Sequence, residues 1–97
     1  MERAQVLSAL RSHADEFRRL GLSRLFLFGS VARDEATPGS DLDLFFDFAD
    51  PRFSLIELAG LKQRMADILN APTDLMSRGS LHPTLRSAIE AGAVQVF

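Results

Sequence analysis

The chain predicts an α/β fold in the α+β sense: a small mixed β-sheet flanked by helices. Three observations carry that expectation. Helix-type and strand-type segments alternate along the sequence. The strand-type segments are short apolar runs bounded by Gly, Pro, Asn or Asp. Each long helix-type segment has one apolar stripe and so needs a sheet to cover.

Residues 2–19 read as the first helix, with Val6, Leu10, Ala14 and Phe17 on one stripe and Gly21 as its stop. Leu25, Phe26, Leu27 and Phe28 then form a buried strand. Ser30 is placed as the N-cap of a short helix through Val31, Ala32 and Arg33. Thr37, Pro38, Gly39 and Ser40 turn the chain back. The next strand covers residues 41–48. Alternation puts Asp41 and Asp43 on one of its faces and Leu42, Leu44, Phe46 and Phe48 on the other. Asp50 and Pro51 break the chain, and Ser54 with Glu57 makes a capping box for the next helix. Leu58, Leu61, Met65, Ile68 and Leu69 supply that helix's buried face, and Asn70, Ala71 and Pro72 end it. A strand at 73–76 follows. Pro83 suits the first turn of a last helix through Ala91, and Gly92 leads into a closing strand at 94–97.

Length and composition bound the function. Ninety-seven residues suit one domain spanning 1–97. A net charge of −2 argues against a broad basic groove for nucleic acid. The absence of cysteine excludes disulfides and thiolate metal sites. No apolar run reaches membrane-spanning length, and the N-terminus does not read as a secretory signal, so a soluble cytoplasmic protein is expected. Basic charge is ten Arg and one Lys, which favours forked contacts to phosphate.

The chemistry concentrates at Gly29-Ser30 and, after a spacer of ten residues, Asp41-Leu42-Asp43. A strand that ends in Gly and opens into a helix presents free backbone N–H groups to an anion. The missing side chain at Gly29 lets a triphosphate approach, and the Ser30 hydroxyl adds a hydrogen bond. Two carboxylates on one strand face repel each other unless a cation lies between them. Oxygen-only ligands completed by water and phosphate suit magnesium, with manganese as an alternative. Arg33 can meet a triphosphate or pair with Asp34 or Glu35, and the two readings carry equal weight. Asp47 lies on the same face but farther along, as a solvated or structural acid. Arg78 reads as a loop arginine with a nucleotide or partner contact as the alternative. His13 and His82 read as a surface and a helix-start residue, not zinc ligands. The phenylalanines read as core, with Phe45 and Phe97 able to border a partner surface.

With these residues in hand, the segment resembles the nucleotidyltransferase superfamily, whose palm is like that of DNA polymerase beta and whose motif is Gly-Ser, a spacer, then Asp-x-Asp. A third acid of that family matches Asp74 in Pro72-Thr73-Asp74-Leu75-Met76. Residues 81–94 look like the closing helix and strand of the minimal nucleotidyltransferases, prokaryotic proteins often encoded beside a HEPN-domain ribonuclease. The resemblance covers residues 25–97. It implies a palm-like fold and two magnesium ions held by Asp41, Asp43 and Asp74. It also implies ATP as substrate and the role of antitoxin to a HEPN toxin, exercised by transferring AMP to a tyrosine of that toxin. Because the chain has no tyrosine, such an acceptor belongs to another molecule. Relatives that modify antibiotics, tRNA ends or DNA carry an extra acceptor domain, for which 97 residues leave no room. Acceptor recognition is therefore expected from a partner or from self-association. Three rival readings stand beside this one. They are an antitoxin that only binds and blocks its toxin, a homodimeric transferase acting on aminoglycoside-like small molecules, and an acidic domain that binds calcium.

Overall fold

Four strands make one mixed sheet in the order β3-β2-β1-β4 in a computed structural model that describes residues 2–37 and 39–97. β1 is Leu22–Phe28 and β2 is Leu42–Phe48, paired antiparallel with a register shift between Leu22 and Arg24. β3, Thr73–Ser77, joins β2 in parallel, and β4, Val94–Gln95, pairs antiparallel with the other side of β1. The helices are α1 (Arg3–Arg11), α2 (Ala14–Arg19), α3 (Gly29–Ala32), α4 (Leu55–Leu69) and α5 (Arg86–Gly92). Among the described residues no helix is long and apolar enough to cross a membrane.

The alternating strands sort their side chains as expected. Leu25 and Leu27 of β1 and Leu42, Leu44 and Phe46 of β2 are buried, with Leu75 of β3, against Val6, Leu10, Phe17, Leu61 and Met65 from α1, α2 and α4. Each such side chain contributes about 1.5–3 kcal/mol on burial. The parallel β2–β3 pair requires a crossover, and α4 supplies it, opened by the Ser54–Glu57 capping box and closed by Asn70 in the left-handed region at φ 51°.

Several elements differ from the sequence reading. The first helix is two helices. The Ser12 hydroxyl donates to the Ala9 carbonyl at 2.7 Å, and the His13 N–H reaches Leu10 O instead, which breaks the ladder. The apolar stripe survives the break, because Val6, Leu10 and Phe17 are all buried. His13 is half-buried, 3.2 Å from Glu16. β1 begins at Leu22, because pairing to Phe48 extends it past the apolar run. α3 starts at Gly29 after an extended Phe28, so Ser30 lies inside the first turn and is not the N-cap. β2 begins at Leu42, leaving Asp41 just before the strand. Phe48 is 46% exposed at the strand's end, stacked on Phe53. Pro83 sits in a turn closed by Leu85 N–H donating to His82 O, and α5 starts only at Arg86. The turn expected at 37–40 includes Pro38, which lies outside the described residues. Across it, Ser40 N–H donates to Thr37 O at 2.9 Å.

The sheet's second face is an aromatic and ionic layer. Phe26 and Phe45 stack at 4.7 Å, and Phe28 leans on Phe45 at 5.7 Å. The Arg78 guanidinium covers Phe26 and Phe45 at 4.7 and 5.0 Å. It donates to both Asp47 oxygens, at 2.8 and 2.9 Å, and to Glu90 of α5. Arg78 is thus a structural clamp, and Asp47 the structural acid that holds it. The clamp also removes Phe45 from any partner surface, since Phe45 is 1% exposed. Phe97 packs on Phe17 beneath Arg18.

Candidate active site

One edge of the sheet gathers the turn after β1, the start of β2 and the start of β3. Phe28 and Asp43 are cross-strand partners on the antiparallel pair, and Asp43 and Asp74 are partners on the parallel pair. Asp43 is therefore flanked by the Gly29 turn on one side and by Asp74 on the other. Asp41 lies two residues earlier on the same side of the chain. Asp43 is half-buried, whereas Asp41 and Asp74 are exposed.

The electrostatics agree with that placement. The Asp43 carboxyl is pushed above its ordinary value, first by burial and then by the neighbouring charges of Asp74 and Asp41, with Arg33 opposing. A cation among the three acids would relieve this repulsion. Among the described residues no three acidic or imidazole side chains are gathered into a preformed cage. An open set of carboxylates fits magnesium, which keeps water and takes phosphate oxygens in its shell. Manganese suits the same donors.

Gly29 has a role that spacing alone did not reveal. It sits at φ +78°, and a Cβ there would fall 2.4 Å from Asp43 Oδ2. The space freed by the missing side chain is filled by the Asp43 carboxylate. Glycine at this point is therefore what allows the acid to lie against the turn. α3 is a single turn of four residues, so its dipole is small. Its offering to an anion is the early amides and the Ser30 hydroxyl. Arg33 is exposed at the end of that turn, and its Nε donates to Glu35 at 2.9 Å.

Two clefts flank the acids. One of about 510 Å³ is walled by Asp41, Pro72, Thr73 and Asp74 on the sheet side and by Ala59, Lys62, Gln63 and Ala66 of α4. The second, about 360 Å³, lies between the end of β1 and α5. Lys62 is the chain's one lysine, and among the described residues no acid ion-pairs with it within 4.0 Å. The sequence reading missed it, although a single lysine on the polar face of an otherwise arginine-based chain was a legible signal.

A Gly-Ser turn set against an Asp-x-Asp segment, with a further acid on the adjoining parallel strand, has the layout of a nucleotidyl-transferring palm. The nucleotidyltransferase domain family matches residues 10–95, and the chain belongs to that family. It is 30% identical over 93 residues to protein adenylyltransferase MntA of Thermococcus cleftensis strain DSM 27260, covering 95% of this chain and 93% of the relative. A solved structure of a candidate minimal nucleotidyltransferase superposes with a TM-score of 0.75 at 36% identity, over 97% of this chain and 95% of the other. A toxin–antitoxin structure with AMP-PNP shares the fold, with a TM-score of 0.70 at 23% identity, over 100% of this chain and 73% of that chain. The protein is an enzyme of the nucleotidyltransferase class.

Proposed function

We propose that this enzyme transfers AMP from ATP to a hydroxyl, a tyrosine in the leading reading, of a partner protein in the cytoplasm, and so acts as antitoxin to a HEPN-type toxin. The observation that carries the catalytic part is Asp43 seated against Gly29 with Asp74 as its cross-strand neighbour. The protein substrate and the antitoxin role are supported by the relative named protein adenylyltransferase and by the fold shared with a toxin–antitoxin complex.

In this reading Gly29 and Ser30 receive the β- and γ-phosphates on backbone N–H groups and the Ser30 hydroxyl. Arg33 exchanges Glu35 for a phosphate oxygen. Asp41, Asp43 and Asp74 would hold two magnesium ions, which when bound neutralise the triphosphate and lower the pKa of the attacking hydroxyl. The acceptor enters through the cleft beside Asp74. Its oxygen bonds to the α-phosphorus as the bond from that phosphorus to the bridging oxygen breaks. Pyrophosphate leaves along the Gly29 turn. Asp74 accepts the hydroxyl proton or passes it to water. Lys62, on the opposite wall of the acceptor cleft, supplies a positive charge near the entering group.

The competing reading is an antitoxin that only docks. Leu55 and Ile56, 81% and 85% exposed at the start of α4, favour it by offering apolar contact surface whether or not AMP moves. Co-expression of the partner with wild type or with the Asp41→Asn, Asp43→Asn double variant separates the two. Transfer of α-labelled phosphate from ATP to the partner should fall at least about 1,000-fold in the double variant, with loss of neutralisation. Full neutralisation by that variant overturns the transfer mechanism. Label found only in small hydroxylated molecules overturns the protein acceptor.

A further inference from the structure

The carbonyls of the phosphate turn are all bonded, and the last of them is bonded from outside. The N–H groups of Arg33, Glu35 and Asp34 donate to Gly29 O, Ser30 O and Val31 O. Ala32 O takes its hydrogen bond from a side chain: Arg3 Nη1 of α1 donates to it at 3.0 Å, from 29 positions earlier in the chain. The same guanidinium places Nη2 3.1 Å from Asp34 Oδ2. Asp34 stands at φ +57°, in the left-handed region that disfavours a residue with a Cβ. Arg3 therefore grips the residues on either side of Arg33, one by its carbonyl and the other by its carboxylate. With Asp34 so occupied, Arg33 pairs with Glu35.

We propose that Arg3 is a positioning residue for the substrate's phosphates, acting through the backbone around Arg33 and through the charge of Asp34. The proposal rests on the nucleotidyltransferase reading of the Gly29 turn and deepens it by naming what holds that turn in its binding form. Two effects run through the one guanidinium. The first is mechanical. α3 is four residues long, too short to keep its shape unaided. A bond to its last carbonyl fixes where the chain reverses, and so where the Arg33 side chain leaves the turn. The second effect is electrostatic. Asp34 directly follows Arg33, and without Arg3 its carboxylate would stand unpaired beside the turn and repel an incoming triphosphate. Arg3 itself touches no substrate in this account. Arg11, at the other end of α1, makes a matched comparison. It donates to Val96 O at 2.9 Å and to Gln95 O at 3.0 Å, so it ties α1 to the β4 end of the chain and not to the phosphate turn.

The test measures binding of ATP and of inorganic triphosphate, each with magnesium, to the full chain and its variants, below the melting temperature of each. Arg3→Gln should weaken both ligands at least about 10-fold, the worth of one charge-assisted contact to phosphate lost when Arg33 is misplaced. Arg11→Gln likewise loses side-chain bonds to main-chain carbonyls and should melt below wild type, yet bind both ligands within about 2-fold of it. Arg3→Lys offers a point charge in place of a fork and should fall between Arg3→Gln and wild type. Adding Asp34→Asn to Arg3→Gln should recover at least about 3-fold in affinity, because asparagine accepts the left-handed backbone and carries no charge. Wild-type affinity in Arg3→Gln overturns the proposal. An equal loss in Arg11→Gln also overturns it, since the effect would then be one of general stability. No recovery with Asp34→Asn overturns the electrostatic effect. Failure of inorganic triphosphate to bind wild type removes the phosphate turn itself, a different result that is read before any variant is made.

Discussion

Replacing Gly29 by alanine tests the packing on which the site is built. The new Cβ would stand 2.4 Å from Asp43 Oδ2 and 3.2 Å from its Cγ. Carbon–oxygen contacts settle near about 3.3 Å, so the carboxylate or the turn must shift by roughly 1 Å. Overpacking of this kind costs about 1–3 kcal/mol. The backbone at φ +78° adds about 1 kcal/mol for any residue with a Cβ. A total of about 2–4 kcal/mol lowers the melting temperature of a chain this size by roughly 10–30 °C. A 1 Å displacement of a reacting group costs about 100-fold in rate, so labelled transfer should fall by that order in whatever fraction remains folded. The decisive assay is thermal unfolding of wild type, Gly29→Ala, Asp43→Ala and the double variant. With the carboxylate gone, the overpacking part disappears and only the backbone part stays. The cycle should therefore show a coupling of about 1–3 kcal/mol. An equal loss from Gly29→Ala in both backgrounds would refute the claim that this glycine makes room for Asp43.

Other outcomes follow from the same geometry. Magnesium should raise the melting temperature of wild type in proportion to the logarithm of its concentration and leave the Asp41→Asn, Asp43→Asn variant unmoved; a flat wild-type response would sink the metal site. Arg78→Met removes the fork to Asp47 and the cover over Phe26 and Phe45, leaving a partly buried acid unpaired. Urea unfolding should report a loss of about 2–3 kcal/mol, only partly recovered by Arg78→Lys, and a loss within about 0.5 kcal/mol would contradict the clamp. Acid should destabilise the fold through depressed carboxyls. The Arg78 guanidinium holds Asp47 and Glu90 below their ordinary values, and Arg64 with His13 holds Glu16 down to about 2. A lowered folded-state pKa means stability that is complete above the ordinary carboxylate range and drains as pH falls through the folded values. Urea midpoints measured from pH 5 to pH 2 should therefore decline, and less steeply in Asp47→Asn; an unchanged slope in that variant would remove Asp47 from the cause.

Spacing along the chain already determined the alternating elements, the α4 capping box, the buried faces of β1, β2 and α4, and the acidic face of the second strand. Each depends on periods of two or 3.6 residues and on local capping chemistry, which are properties of neighbours in sequence. Element ends escaped that reading. A strand begins where a partner offers hydrogen bonds, as Phe48 does for Leu22, and Ser12 breaks a helix that its apolar stripe carries straight through. Tertiary structure alone decided that Asp43 and Asp74, 31 positions apart, are partners on adjacent parallel strands. It alone set Arg78 on Asp47, joining a loop arginine and an acid read only as solvated or structural into one clamp. It also decided which atom occupies the gap left by Gly29. Sequence periodicity records which face a side chain takes, but the neighbour it meets there depends on strand order and register, and these are settled only when the whole chain closes around its core.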